Sequence, residues 1–87
     1  MYRFEFDEQK SASNLKKHGI DFISAQALWR DSGLIEIKAK SDTELRYLIV
    51  ACVAGKHWSA VVNYRGDAIR LVSVRHSRKS EVQLYES

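Results

Sequence analysis

Between Trp29 and Leu34 the apolar residues of this chain change their spacing, and that change decides what it can fold into. Ahead of Asp31-Ser32-Gly33, Phe22, Ala25, Leu28 and Trp29 recur at the three- and four-residue intervals that line one side of a helix. Beyond it, Ile35, Ile37 and Ala39 alternate with Glu36 and Lys38, as in a strand with one wet face. A strand cannot bury a helical rhythm, nor a helix an alternating one, so a helical part precedes a sheet part. That segregation predicts an α+β fold, with helices packed on one sheet. Eighty-seven residues, with no proline, repeat or linker-like stretch, leave room for one core, and 1–87 is read as a single domain.

Local signals fill in the frame. Tyr2–Phe6 alternates apolar and charged residues as a short strand does. Asp7 suits a helix N-cap, Glu8 complements the dipole behind it, and Gly19 suits the left-handed residue that ends the helix near His18. Ala12 and Leu15 are expected to face inward. Asp21 is a second N-cap, opening the helix that carries the Phe22–Trp29 stripe. Four strands follow: Leu34–Ala39; the long apolar run from Glu44 to Ala54, after a turn at Lys40–Thr43; His57–Tyr64, after a turn at Gly55-Lys56; and Ala68–Arg75, after a hairpin at Arg65-Gly66-Asp67. Ser77 is expected to cap a short terminal helix, with Glu81 four residues on and Val82 and Tyr85 packing back. The predicted order is β-α-α-β-β-β-β-α, two N-terminal helices on an antiparallel meander with a C-terminal helix.

Composition removes several classes of function. At 45% hydrophobic and 29% charged the chain is globular. A single cysteine, Cys52, cannot form an internal disulfide. The charged N-terminus lacks the apolar core of a signal peptide, and no apolar run approaches the roughly 20 residues of a membrane span, so a cytoplasmic protein without membrane association is expected. The three histidines and Cys52 are never spaced as metal ligands, and no carboxylate cluster, glycine-rich phosphate loop or Gly-x-Ser-x-Gly turn occurs. No metal or cofactor is expected. Net charge is +3, and the basic residues Arg65, Arg70, Arg75, Arg78 and Lys79 concentrate in one segment against only Asp67. Such a segment suits nucleic-acid phosphate; a merely solvated basic face is the equal alternative.

Chemistry is sought among polar residues planted in apolar strands. Regular alternation puts Arg75 on the face of Ile69, Leu71 and Ser73, at the strand's end. Glu44 and Arg46 open the long strand on the face of Leu48 and Val50, and Tyr64 ends a neighbouring strand. A surface ion pair is the plain explanation for Glu44 and Arg46. Taken together, though, Arg, Glu and Tyr without a metal suit RNA cleavage, because RNA carries its own nucleophile in the 2′-hydroxyl. Guanidinium forks match phosphate oxygens, and Glu, His, Tyr or Lys can move the protons.

The same residues resemble a known family. Phe4-x-Phe6-Asp7-x-x-Lys10, then Asn14-x-x-Lys17-His18-Gly19-Ile20-x-Phe22 with Ala25, is similar to the opening of BrnT-type toxins. Glu44-x-Arg46-Tyr47 resembles the family's entry to its long strand, and Ile69-Arg70-x-x-Ser73-x-Arg75 its last strand. Arg78, Glu81 and Tyr85 fit its closing helix. Phe6 stands where the family usually has Trp, Ala51 where glycine is common, and Ser77 follows His76 where the family often has Lys-Ala. The resemblance implies a RelE-like fold and a ribonuclease toxin of a type II toxin–antitoxin module. It also implies a cognate antitoxin, a small DNA-binding repressor through which operator DNA is contacted indirectly.

On this reading Arg75 is the phosphate clamp and Arg46 a second guanidinium. Glu44 is a base or an orienter of Arg46, and Tyr64 a stacking partner or proton donor. Arg65, Arg70, Arg78 and Lys79 hold RNA backbone phosphates. Lys16, Lys17 and His18 favour a helix C-terminus by about 0.3–1 kcal/mol each whatever their function. The resemblance singles out Lys17-His18-Gly19, which implies a catalytic or substrate-positioning His18, with Lys17 beside it; histidine titrates near neutral pH and suits proton transfer. The rival readings are a non-catalytic nucleic-acid-binding or regulatory module on the same basic surface, and an adaptor that accepts a partner strand at Leu34–Ala39.

Overall fold

The computed structural model describes residues 2–39 and 45–87. In chain order the elements are β1 (Arg3–Glu5), α1 (Glu8–His18), a 3₁₀ helix (Ser24–Arg30), β2 (Ile35–Ala39), β3 (Arg46–Val53), β4 (Lys56–Arg65), β5 (Ala68–His76) and α2 (Lys79–Glu86). The strands form one sheet in the order β1-β5-β4-β3-β2. The expected α+β architecture is present, and β2 to β5 make the antiparallel meander. The sheet is nevertheless mixed, because β1 lies parallel to β5, with Phe4 in register with Ile69. No hairpin joins those two strands, so nothing local forces them antiparallel. The expected turn at 40–43 and the start of the long strand at Glu44 lie outside the described residues.

The second helical segment is a 3₁₀ helix rather than the expected α-helix. Phe22, Ala25 and Leu28 are fully buried, and they recur every three residues. A helix of 3.0 residues per turn sets that spacing in a single row facing the sheet. Its N-cap position falls on Ile23 rather than on the expected Asp21, whose carboxylate instead closes the preceding turn by accepting from the Ser24 N–H at 2.7 Å. Tighter three-residue bonds follow, Gln26 N–H to the Ile23 carbonyl and Asp31 N–H to that of Leu28.

Helix α1 is bounded as predicted: the Asp7 carboxylate accepts from the Lys10 N–H at 3.0 Å, and Gly19 ends the helix at φ 81°. Its inward face is not. Ala12 and Leu15 are exposed, while Ser11 and Asn14 are buried. The reason is that α1 lies along the edge of β5 beyond the short β1, where backbone groups lack a strand partner and need polar side chains. Asn14 Nδ2 donates to the carbonyls of Val74 and Ile20, both at 2.8 Å, and its Oδ1 accepts from the Val74 N–H at 3.1 Å. Two carbonyls facing one end of the carboxamide fix its orientation. Ser11 Oγ accepts from the Phe22 N–H at 2.9 Å.

A bulge in β5 reverses the side-chain alternation. Leu71 registers with Val62 and Ser73 with Val61, so Val72 is an extra residue. Ile69, Leu71 and Val74 therefore all face the helices and join the core. Ser73 and Arg75 turn to the other face, in register with Val61 and Ser59. This corrects the expected placement of Arg75 beside Ile69 and Leu71. Helix α2 lies across one end of that second face. Its N-cap is Arg78, not Ser77, because the Ser77 hydroxyl is engaged by Ser59 and its N–H by the His57 carbonyl.

Asn14→Ala is expected to lower unfolding free energy by about 2–4 kcal/mol, since it leaves buried backbone groups of Val74 and Ile20 without partners. Asn14→Asp is expected to be no milder, because a carboxylate would then face both carbonyls. Denaturant unfolding, read as a shifted midpoint at constant m, checks both.

Candidate functional site

The sheet face away from the helices is covered only in part. Under α2, Val50 and Ser59 are fully buried. Toward the other end Leu48 and Val61 form a half-buried apolar floor. The basic residues gather around it. Arg70 is in register with Asn63, and Arg46 precedes Tyr47, whose partner is Val62, so both arginines stand on this face. Glu5 Oε1 lies 4.0 Å from the guanidinium groups of both Arg65 and Arg70. Leu45, Asn63, Tyr64, Arg65 and Arg70 line a depression of about 510 Å³ at this end.

Arg75 shares the face with Arg46 but is committed to an internal partner. Its Nη1 and Nη2 donate to the two carboxylate oxygens of Glu81 at 2.8 and 2.9 Å, and Nη1 also reaches the His76 carbonyl at 3.3 Å. Glu81 is only 7% exposed. It accepts in addition from Ser59 Oγ and from the Arg78 N–H, both at 2.8 Å. Ser59 has one proton, which goes to the carboxylate, so Ser77 must be the donor in the 2.7 Å contact between the two hydroxyls. The Arg75 guanidinium above all holds the Glu81 carboxyl down at about 2. Arg75 is itself raised by the same partner. The pair is near neutral in net charge, so Arg75 offers directed N–H bonds (Nε–H and one on Nη2) more than attraction at a distance.

Lys17 and His18 end α1 beside the bulge. With Lys10, Ser13, Val72 and Ser73 they border a depression of about 230 Å³, separate from the arginine row but sharing Ser73 with the open face. Tyr64 is rooted on the opposite face but exposed at the sheet's end, its ring 5.1 Å from that of Tyr47 and its hydroxyl donating to Glu36. Burial, and then that carboxylate, push the phenol well above its ordinary range, so it is a poor proton donor at neutral pH. Arg78 and Lys79 are exposed at the start of α2. Glu44 lies outside the described residues. The structure thus brings Arg46, Arg70 and Arg75 onto one face, with Lys17 and His18 at its edge, and leaves Tyr64 at the end of the sheet, where it borders the same depression as Arg65 and Arg70.

The sequence reading missed Glu81 and Ser59 as partners of Arg75. Glu81 looked like a first-turn helix residue, and its position three residues after the true cap was the available signal. It also missed how Asp31 and Tyr85 anchor α2. Tyr85 Oη donates to Asp31 Oδ2 at 2.6 Å, and the Cys52 N–H donates to the same oxygen at 2.8 Å. The hydrogen bond from Tyr85 lowers Asp31, and the carboxylate pushes Tyr85 up to about 12. A Cβ on Gly33 would stand 2.9 Å from the Tyr85 hydroxyl, which is why that loop position takes glycine. Among the described residues no three His, Cys, Asp or Glu side chains come together as a group that could hold a metal ion. No helix among them is long and apolar enough to cross a membrane.

The sequence model of a family described as "Ribonuclease toxin, BrnT, of type II toxin-antitoxin system" matches residues 6–81. The chain belongs to the BrnT family. No individually curated protein matches it. BrnT membership makes the chain a ribonuclease toxin of a type II toxin–antitoxin system, a class that implies an RNA substrate and a cognate antitoxin. The architecture is consistent with the RelE-like fold expected of a BrnT chain. The matched span contains Arg46, Arg70 and Arg75 of the open face and also Glu81, while Tyr85 lies beyond it.

In this BrnT chain Glu81→Gln is expected to lower stability by about 3 kcal/mol at neutral pH, since the carboxyl sits at about 2 against an ordinary 4.5. A depressed carboxyl stabilises above its unfolded value and loses that stabilisation as pH falls toward the folded value. The gap between wild type and Glu81→Gln should therefore close as pH drops below about 4.5 toward 2, measured by denaturant unfolding across that range.

Proposed function

We propose that the chain cleaves RNA by attack of the substrate's 2′-hydroxyl on the adjacent phosphate, without a metal. A base takes the 2′-hydroxyl proton, and the 2′-oxygen bonds to phosphorus. The bond to the 5′-oxygen breaks, and an acid protonates that oxygen. The products are a 2′,3′-cyclic phosphate and a 5′-hydroxyl. Arg75 clamps the non-bridging oxygens in the orientation that Glu81 imposes, and Arg46 is the second guanidinium. His18 or Glu44 is the base, with Glu44 alternatively orienting Arg46, and Lys17 stabilises developing charge. Tyr64 acts as a stacking partner, since its raised phenol suits proton donation poorly. Arg65, Arg70, Arg78 and Lys79 hold backbone phosphates without choosing sequence. A small DNA-binding antitoxin silences the enzyme, and the pair represses its own operon.

The observation that carries this reading is the gathering of Arg46, Arg70 and Arg75 on one open sheet face beside Lys17 and His18. Purified protein is expected to cleave RNA in EDTA and leave cyclic phosphate ends. Arg75→Ala is expected to lower kcat/KM by about 10²–10³ and relieve growth inhibition while remaining folded. Arg75→Lys should not rescue, because an ammonium lacks the fork that engages Glu81 and phosphate together. RNA left intact in EDTA but cut when Mg²⁺ is added would overturn the metal-free mechanism. Salt-dependent binding without products would instead favour the non-catalytic binding module.

A further inference from the structure

Helix α1 divides its charge between two sides. Glu8 and Asp21 border a depression with Phe6, Leu15 and Ile23 on one side. Lys10, Ser13, Lys17 and His18 border the other, where Val72 and Ser73 of the β5 bulge form the far wall and no carboxylate is present. Lys10, Ser13 and Lys17 fall on one helical face by their spacing of three and four. Lys17 and His18 have a local reason to be cationic, since they sit at the helix C-terminus. Lys10 has the opposite: it occupies the first turn, where a positive charge works against the helix dipole. Its ammonium makes no ion pair with any described residue. A cation kept where it weakens its own helix, unpaired and beside two hydroxyls, calls for a ligand.

We infer that the Lys10 end of this depression is a backbone-phosphate subsite for the RNA substrate, held by the Lys10 ammonium and the Ser13 and Ser73 hydroxyls, next to the scissile phosphate that Lys17 and His18 face at its other end. Ser73 belongs both to the depression and to the open arginine face, so a strand crossing the sheet can pass along α1 through it. The contact reads charge and spacing rather than bases. The inference rests on the reading of Lys17 and His18 as facing substrate at the boundary between the two sites.

Binding of a single-stranded 2′-O-methyl oligoribonucleotide, which cannot be cleaved, tests it across a salt series. Lys10→Ala should weaken binding and reduce the slope of log K against log salt by about 0.7, the loss of one phosphate contact. It should also raise KM for a long RNA while kcat holds. Lys16→Ala removes the same charge from the same helix but borders neither depression, and should leave the slope unchanged. Ser13→Asp, which puts a carboxylate in the subsite, should reproduce the Lys10→Ala defect with wild-type circular dichroism. If Lys10→Ala and Lys16→Ala lower the slope equally, or neither lowers it, while the wild type cleaves RNA, the subsite alone is overturned. Wild-type protein that neither binds nor cuts RNA overturns the ribonuclease mechanism and the subsite together.

Discussion

One carboxamide holds the two halves of this protein in register. The edge of β5 beyond the short β1 would otherwise present bare backbone groups, and Asn14 meets both polar atoms of Val74 there while also capturing the Ile20 carbonyl. Helix, loop and strand are thus tied by a single planar group that has only one satisfactory orientation. In the buried edge it occupies, each lost bond also strands a desolvated partner, so its worth exceeds that of an average hydrogen bond. The consequence reaches the surface. Lys17 and His18 are one helical turn further along, and their position beside Ser73 depends on this attachment.

The other face of the sheet is held by a different kind of contact. Helix α2 is short and half-exposed, and two polar anchors one turn apart fix it: Glu81 to Arg75 and Ser59, Tyr85 to Asp31. Both carboxyls are held below their ordinary range by the donors around them. Such pairs give direction more reliably than net stability, because desolvation offsets much of their attraction. For Arg75 this means a fixed guanidinium plane with its charge largely spent inside the protein.

The change of hydrophobic spacing near residue 33 was enough to place helices before strands, and Asp7 and Gly19 marked the limits of α1 because caps are local chemistry. What escaped was what depends on neighbours distant in sequence. Buried Ser11 and Asn14 look like surface residues until the bare edge of β5 is known, so Ala12 and Leu15 took their place in the reading. The Phe22-Ala25-Leu28 spacing fits both an α-helix and a 3₁₀ row, so spacing alone does not separate them. The β5 bulge has no signature of its own: Leu71-Val72-Ser73 contains no glycine, and only pairing with Val61 and Val62 exposes the extra residue. Arg75 was named from its strand and from family likeness, yet its partner Glu81 comes from the following helix.

That extra residue makes β5 two strands of opposite phase joined end to end. Its first half answers to the core through Ile69 and Leu71, and its second half has been turned so that Val74 fills the core while Arg75 meets solvent, Glu81 and the open face. The bulge therefore behaves as an address. A chain of the same length that paired regularly here would carry the same letters with valine and arginine exchanged between oil and water, whereas a homologue lacking only Val72 would keep both in place with the bulge gone.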